Sequence, residues 1–119
     1  MKILVTGYSG FIGSYLIRKL EELKIDLILC DLSNGINICN WDEVKDLKGF
    51  DAVIHLANLS FVPASYREPK KFYEVNYLGT LNMLELCRIN RAKMIYFSSY
   101  MYGFPQYQPI DENHRIEAY

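Results

Sequence analysis

Apolar and polar positions follow two regimes along this chain. Short unbroken apolar runs alternate with stretches in which apolar residues recur every three to four positions. The runs at 2–6, 26–30, 52–56 and 93–98 read as strands covered on both faces. Phe11, Ile12, Tyr15, Leu16, Leu20 and Leu23 fall at helical spacing and predict an amphipathic helix over 11–24. Ser33-Asn34-Gly35 signals a turn, and residues 36–39 read as a small additional strand. Asn40 or Asp42 caps a short helix to about Leu47, which Lys48-Gly49 ends. A long helix is predicted from Pro69 to about Asn90. Beyond Tyr100, Gly103, Pro105 and Pro109 predict an extended loop.

Strands that alternate with helices imply an α/β fold with a parallel sheet between two helical layers. Right-handed crossovers then give a three-layer, doubly wound arrangement of Rossmann type, with strand order 3-2-1-4-5 and a small third strand. The 119 residues amount to one domain, 1–119, with half of them hydrophobic. A net charge of -1 gives no reason to expect nucleic acid or an anionic membrane as partner. No apolar run approaches the roughly 20 residues of a membrane span, and the N-terminal run is too short for a signal peptide. Cys30, Cys39 and Cys87 are odd in number and scattered, without a metal-binding spacing. They read as free thiols of a cytoplasmic protein, and no metal is expected.

Gly7, Gly10 and Gly13 follow the first strand directly and open the first helix. Glycine there serves a tight turn, close approach of a pyrophosphate, and close helix–strand packing. The helix N-terminus offers unpaired N–H groups and partial positive charge, with Gly10, Phe11 and Ile12 under the phosphates. Asp31 ends the next strand, 18 residues after Gly13. A carboxylate there accepts hydrogen bonds from adenosine ribose hydroxyls. It also repels a 2′-phosphate, so NAD is expected over NADP.

These residues resemble the extended short-chain dehydrogenase/reductases. Thr6-Gly7-Tyr8-Ser9-Gly10-Phe11-Ile12-Gly13 is similar to that family's TGxxGxxG motif. Four segments resemble the family in order: Asp51–Ala57 as DxVxHLA, Val75–Asn82 as VNxxGTxN, Phe97–Gly103 as the segment ending in YG, and Pro109–Glu112 as PxxE. The likeness is strongest to the NAD-dependent epimerase/dehydratase branch. It implies transient hydride transfer from a sugar carbon of a nucleotide-linked sugar to NAD. It implies a cofactor site at Gly7, Gly10, Phe11, Ile12, Gly13, Asp31, Asn37, Ile38, Leu56, Ala57, Asn58 and Asn76. It implies that Ser98, or its neighbour Ser99, bonds the substrate hydroxyl. Asn76 is expected to tie its helix to the neighbouring strand. His55 reads as a buried, satisfied histidine rather than a catalyst.

Two departures matter. Asn37 stands where the family often has Asp facing the adenine. The family's YxxxK pair lies further beyond Glu112 than Tyr119 does, and no Lys follows Tyr119. The chain is therefore expected to be the N-terminal, NAD-binding part of an epimerase or dehydratase, its sheet incomplete on the C-terminal side. The substrate domain would be absent and turnover lacking. The alternatives are an enzyme resembling dTDP-4-dehydrorhamnose reductase, or a non-catalytic NAD-binding sensor. In the long helix, Phe72, Val75, Gly79 and Leu86 are expected to face the sheet. Tyr73, Tyr77, Leu81 and Leu84 form a second apolar face, read as the contact of a homodimer, with the 105–119 tail as the alternative cover.

Overall fold

The computed structural model describes residues 1–99 and 101–117. Four parallel strands are β1 (Lys2–Thr6), β2 (Asp26–Cys30), β3 (Ala52–His55) and β4 (Lys93–Tyr96). Their order in the sheet is β2-β1-β3-β4. This is the expected Rossmann-type order without the small third strand. Residues 36–39 form no strand, because side chains have taken over their backbone partners. Glu43 Oε2 accepts from the Asn37 N–H, Asn37 Oδ1 from the Cys39 N–H, and Asn82 Nδ2 donates to the Ile38 carbonyl. A segment satisfied in this way gains nothing from pairing at the sheet edge.

Pleating sends alternate strand residues to opposite faces. Leu4, Cys30 and Val53 join Met83, Leu86 and Cys87 on one side. Ile3, Val5 and Ile54 meet Leu16, Ile17 and Leu20 on the other. Helix α1 (Phe11–Glu22) covers this second face. Its buried stripe is narrower than its apolar pattern suggests, because Phe11, Ile12, Tyr15 and Leu23 are exposed. Phe11 and Tyr15 instead stack edge-to-face, 5.4 Å between centroids. Helix α2 (Trp41–Val44) is capped by Asn40, whose side chain accepts from the Asp42 N–H, and it ends before Leu47. A short α3 (Val62–Ser65) follows β3.

The long helix is present over its whole expected length, but it is not uniform. Helix α4 (Pro69–Tyr73) runs through a π-helical segment, Glu74–Gly79, into α5 (Thr80–Asn90). Such π segments recur at functional sites because they re-aim side chains. Here the segment contains Asn76. Gly79 and Leu86 are buried, while Tyr73 and Tyr77 are 73% and 68% exposed, and Leu81 and Leu84 are also exposed. The described part of the tail therefore leaves the second apolar face uncovered. Beyond β4 the described residues form neither helix nor strand, as expected. Tyr100 and Tyr119 lie outside the described residues.

Candidate functional site

The first turn after β1 is fixed by sterics. Gly7 has φ +66°, and a Cβ there would sit 2.5 Å from the Ala57 nitrogen. At Gly13 a Cβ would lie 2.5 Å from the Tyr8 carbonyl oxygen. These two glycines let β1, α1 and the segment after β3 converge. A Cβ at Gly10 would meet only the Gly7 oxygen, at 3.3 Å, so the space beside that residue is otherwise open. The first N–H groups of α1 have no carbonyl one turn earlier to bond.

Two cavities adjoin at this turn. One, of about 290 Å³, is lined by Gly7, Ser9, Gly10, Asp31, Asn37, Ile38, Leu56, Ala57 and Asn58 among others. The second, of about 540 Å³, is lined by Gly7, Gly10, Phe11, Ile12, Gly13, His55, Leu56, Ala57, Asn58, Tyr96, Phe97 and Ser98 among others. The shared lining makes them a single cleft across the C-terminal ends of the parallel strands, where α/β sheets place ligands. Of the expected cofactor residues, all but Asn76 line it.

Asp31 is held ready on the first side. Its Oδ1 accepts from the Ser33 N–H at 2.8 Å and its Oδ2 from the Ser9 N–H at 3.3 Å. Partial burial pushes its pKa up, but the hydrogen bonds from Ser33 and Ser9 outweigh this and hold it below the usual carboxylate value. Each oxygen keeps a further lone pair for a ribose hydroxyl. Asn37 lines the same cavity, with its Oδ1 bonded to Cys39 N–H at 3.0 Å. Its amide N–H₂ is the group suited to the adenine edge. An acceptor carboxylate, an open glycine and a free helix N-terminus together suit an adenosine diphosphate moiety.

Asn76 works one step removed. It grips Leu59 twice: Oδ1 accepts from its N–H at 2.8 Å and Nδ2 donates to its carbonyl at 2.9 Å. It thus ties the helical rod to the segment that follows β3, not to the strand itself. Ser98 lines the second cavity. Ser99 does not, and its Oγ accepts from the Met101 N–H at 3.1 Å. His55 is buried as expected, between Thr6 Oγ1 at 2.6 Å and Thr80 Oγ1 at 3.0 Å. Among the described residues no cluster of His, Cys, Asp or Glu suits a metal. Burial, with Asp31 and Glu43 adding to it, pushes the Cys30 thiol up to about 12, so it stays protonated.

Several residues shape the site without standing out in the sequence. Glu43 orients Asn37, and Asn82 holds the Ile38 carbonyl at 2.8 Å. Thr6 and Thr80 flank His55. Gly79 also has a specific duty. A Cβ there would strike Ile38 Cδ1 at 2.6 Å, so this glycine admits the side chain that walls the Asp31 cavity. Thr6, Gly79, Thr80 and Asn82 all sit inside the resemblance motifs, which is the available signal.

The model of the NAD dependent epimerase/dehydratase family matches residues 3–119. The chain belongs to this family. A relative from Methanocaldococcus jannaschii is 38% identical over 133 residues, covering 96% of this chain and 44% of that protein. The UDP-glucose 4-epimerase of Mus musculus is 33% identical over 147 residues, covering 95% of this chain and 42% of its own. The crystal structure of the Thermus thermophilus UDP-glucose 4-epimerase in complex with NAD superposes with a TM-score of 0.85 at 26% identity. That match covers 98% of this chain and 44% of the other. The chain thus spans less than half the length of these relatives. No described helix is long and apolar enough to cross a membrane.

Proposed function

We propose that this chain forms the NAD-binding part of a nucleotide-sugar epimerase or dehydratase. The carrying observation is the pair of adjoining cavities that share Gly7, Gly10, Leu56, Ala57 and Asn58 and extend from Asp31, over the glycine turn, to Ser98. Family membership and the mouse and Thermus relatives support the same reading. In it, Asp31 and Asn37 hold the adenosine end and Gly10, Phe11 and Ile12 receive the pyrophosphate. Leu56, Ala57 and Asn58 form the floor beneath the nicotinamide end. NAD, when bound, supplies the hydride acceptor and donor for a sugar carbon. Ser98 is placed to hydrogen-bond the hydroxyl of a nucleotide-linked sugar, and Ser99 is committed to its own turn.

Titration of the protein with NAD and NADP tests this reading. NAD is expected to bind more tightly, and Asp31→Ala to shrink the preference by about tenfold, the loss of one hydrogen bond to a charged group. A preference for NADP would overturn the role given to Asp31. We further infer self-association through Tyr73, Tyr77, Leu81 and Leu84, which form a contiguous exposed apolar face. Sedimentation over a concentration series is expected to show a dimer that Leu81→Glu dissociates. A concentration-independent monomer would rule the contact out.

A further inference from the structure

A path of buried and part-buried hydrogen bonds joins β1 to the π segment through His55. Thr6 is fully buried. Its Oγ1 accepts from the N–H groups of both Leu56 and Ala57, each at 3.2 Å, and lies 2.6 Å from His55 Nδ1. A hydroxyl has two lone pairs and one proton. The Leu56 N–H is shared with the Thr6 carbonyl, also at 3.2 Å, and the Ala57 N–H is given to Oγ1 alone, so the lone pairs face these two groups and the hydroxyl proton is directed at Nδ1. Nδ1 therefore carries no proton, and the ring proton sits on Nε2. Nε2 donates to Thr80 Oγ1 at 3.0 Å, and the Thr80 hydroxyl donates to the Asn76 carbonyl at 2.7 Å. The Asn76 side chain then closes the path on Leu59.

The opposite polarity fails. A proton on Nδ1 would point at an oxygen that already faces two N–H groups, and Nε2 would have to accept from a Thr80 hydroxyl whose proton is given to the Asn76 carbonyl. An imidazolium meets the same obstacle. The path therefore has one direction, and it takes hold of Leu56–Leu59 at both ends. Thr6 holds the Leu56 and Ala57 nitrogens, and Asn76 holds both polar groups of Leu59. Within this stretch Ala57 and Asn58 line both halves of the cleft.

We propose that Thr6, His55 and Thr80 are positioning residues for the dinucleotide: a neutral His55, protonated on Nε2, sets the aim of Leu56–Leu59 in the cleft. This rests on the NAD-binding reading above. None of the three needs to touch the cofactor. They act through the backbone they hold, and a rigid floor lowers the ordering cost of binding. His55 Nε2–H also tells the path which way the Thr80 hydroxyl turns, and so which carbonyl of the π segment is held.

The test combines nitrogen-15 NMR of the histidine rings with calorimetric NAD titration of the purified protein, Thr80→Val and Thr80→Ser. The parent is expected to show His55 as a single Nε2–H tautomer, unchanged from about pH 8 to about pH 5.5. Thr80→Val, which keeps the shape and removes the acceptor, is expected to weaken NAD binding about tenfold. Thr80→Ser is expected to restore affinity to within about threefold of the parent. A merely structural Thr80 would change the unfolding midpoint and leave affinity and tautomer alone. A parent with His55 protonated on Nδ1, or as imidazolium near neutrality, overturns the proposal even should Thr80→Val not fold. Parent binding that Thr80→Val leaves untouched overturns it alone. A parent that binds no NAD overturns the cofactor reading, and this proposal with it.

Discussion

Two segments leave neighbouring parallel strands and line the same cavity, yet they are built differently. Leu56–Leu59, after β3, is held by Thr6 at one end and Asn76 at the other, with Gly7 pressed against its backbone. Phe97–Ser99, after β4, is exposed throughout; Phe97 is 49% exposed and Tyr96 before it 56%. The first segment is the floor proposed for the cofactor, and the second carries Ser98, proposed for the substrate. The contrast teaches that the cofactor side is rigid from within this chain. The N–H groups of Leu56 and Ala57 and both backbone polar groups of Leu59 are answered by side chains from β1 and the helical rod. The serine side sits on an edge strand whose outer surface the described residues leave bare.

The largest effect expected from breaking this contrast is at Gly7. Its φ of +66° already disfavours a side chain, and a Cβ would overlap the Ala57 nitrogen at 2.5 Å. Neither atom can yield, because both belong to backbone at the ends of buried strands. Gly7→Ala is expected to cost about 4 kcal/mol, the range of strained or overpacked sites. Urea unfolding measures it. A loss under about 1 kcal/mol would show that the floor is looser than described.

The next effect comes from pH. Burial pushes the His55 pKa from 6.5 down to about 4. As pH falls below about 6.5, the unfolded chain takes up a proton that the folded protein refuses. Stability is then full above about pH 6.5 and lost as pH falls toward about 4. The whole loss is about 3 kcal/mol, with about 2 kcal/mol of it gone by about pH 5. Asp31, Glu85 and Asp111 have lowered pKa values, so the stability they contribute is lost only in more acid solution. Urea midpoints between about pH 7.5 and about pH 5 should therefore slope in the parent and flatten in His55→Gln. Equal slopes in both would show that His55 does not set the pH dependence of stability.

The same contrast explains what can be read from the sequence. The four strands, α1 and the full extent of the long helix follow from apolar periodicity, which is a local property. Gly7, Gly10 and Gly13 are legible because their spacing is local as well. Asp31 is legible because strand length fixes where β2 ends. The hydrogen bonds that grip the floor are not local. Thr6 meets Leu56 and Ala57 across 50 and 51 positions, His55 meets Thr80 across 25, and Asn82 meets Ile38 across 44. No window of sequence contains both partners of such a pair. Residues 36–39 mislead for a related reason. Ile36 and Ile38 carry the alternation of a strand, but Glu43, Asn37 and Asn82 supply their segment's partners instead. Polar side chains outcompete a sheet edge there. The π segment is invisible too, since a helix with one widened stretch keeps nearly the same apolar spacing.

The smallest effects belong to the serines, and they separate the two neighbours. Ser99 Oγ accepts from the Met101 N–H at 3.1 Å, an exposed bond that shapes the turn after β4. Ser98 lines the cavity and is itself exposed. Ser99→Ala is expected to cost about 0.5–1 kcal/mol of stability, the usual net worth of one hydrogen bond. Ser98→Ala is expected to fall within about 0.5 kcal/mol of the parent, as for a surface substitution away from any cap or core. Neither should alter NAD affinity by more than about twofold, since neither touches the Leu56–Leu59 floor. Paired urea and NAD titrations resolve both quantities on the same samples. If Ser98→Ala proves the more destabilising of the two, the roles are reversed: Ser98 secures the turn and Ser99 faces the cleft. If either variant weakens NAD strongly, the segment after β4 is part of the floor, and the division between a rigid cofactor side and an open serine side does not hold.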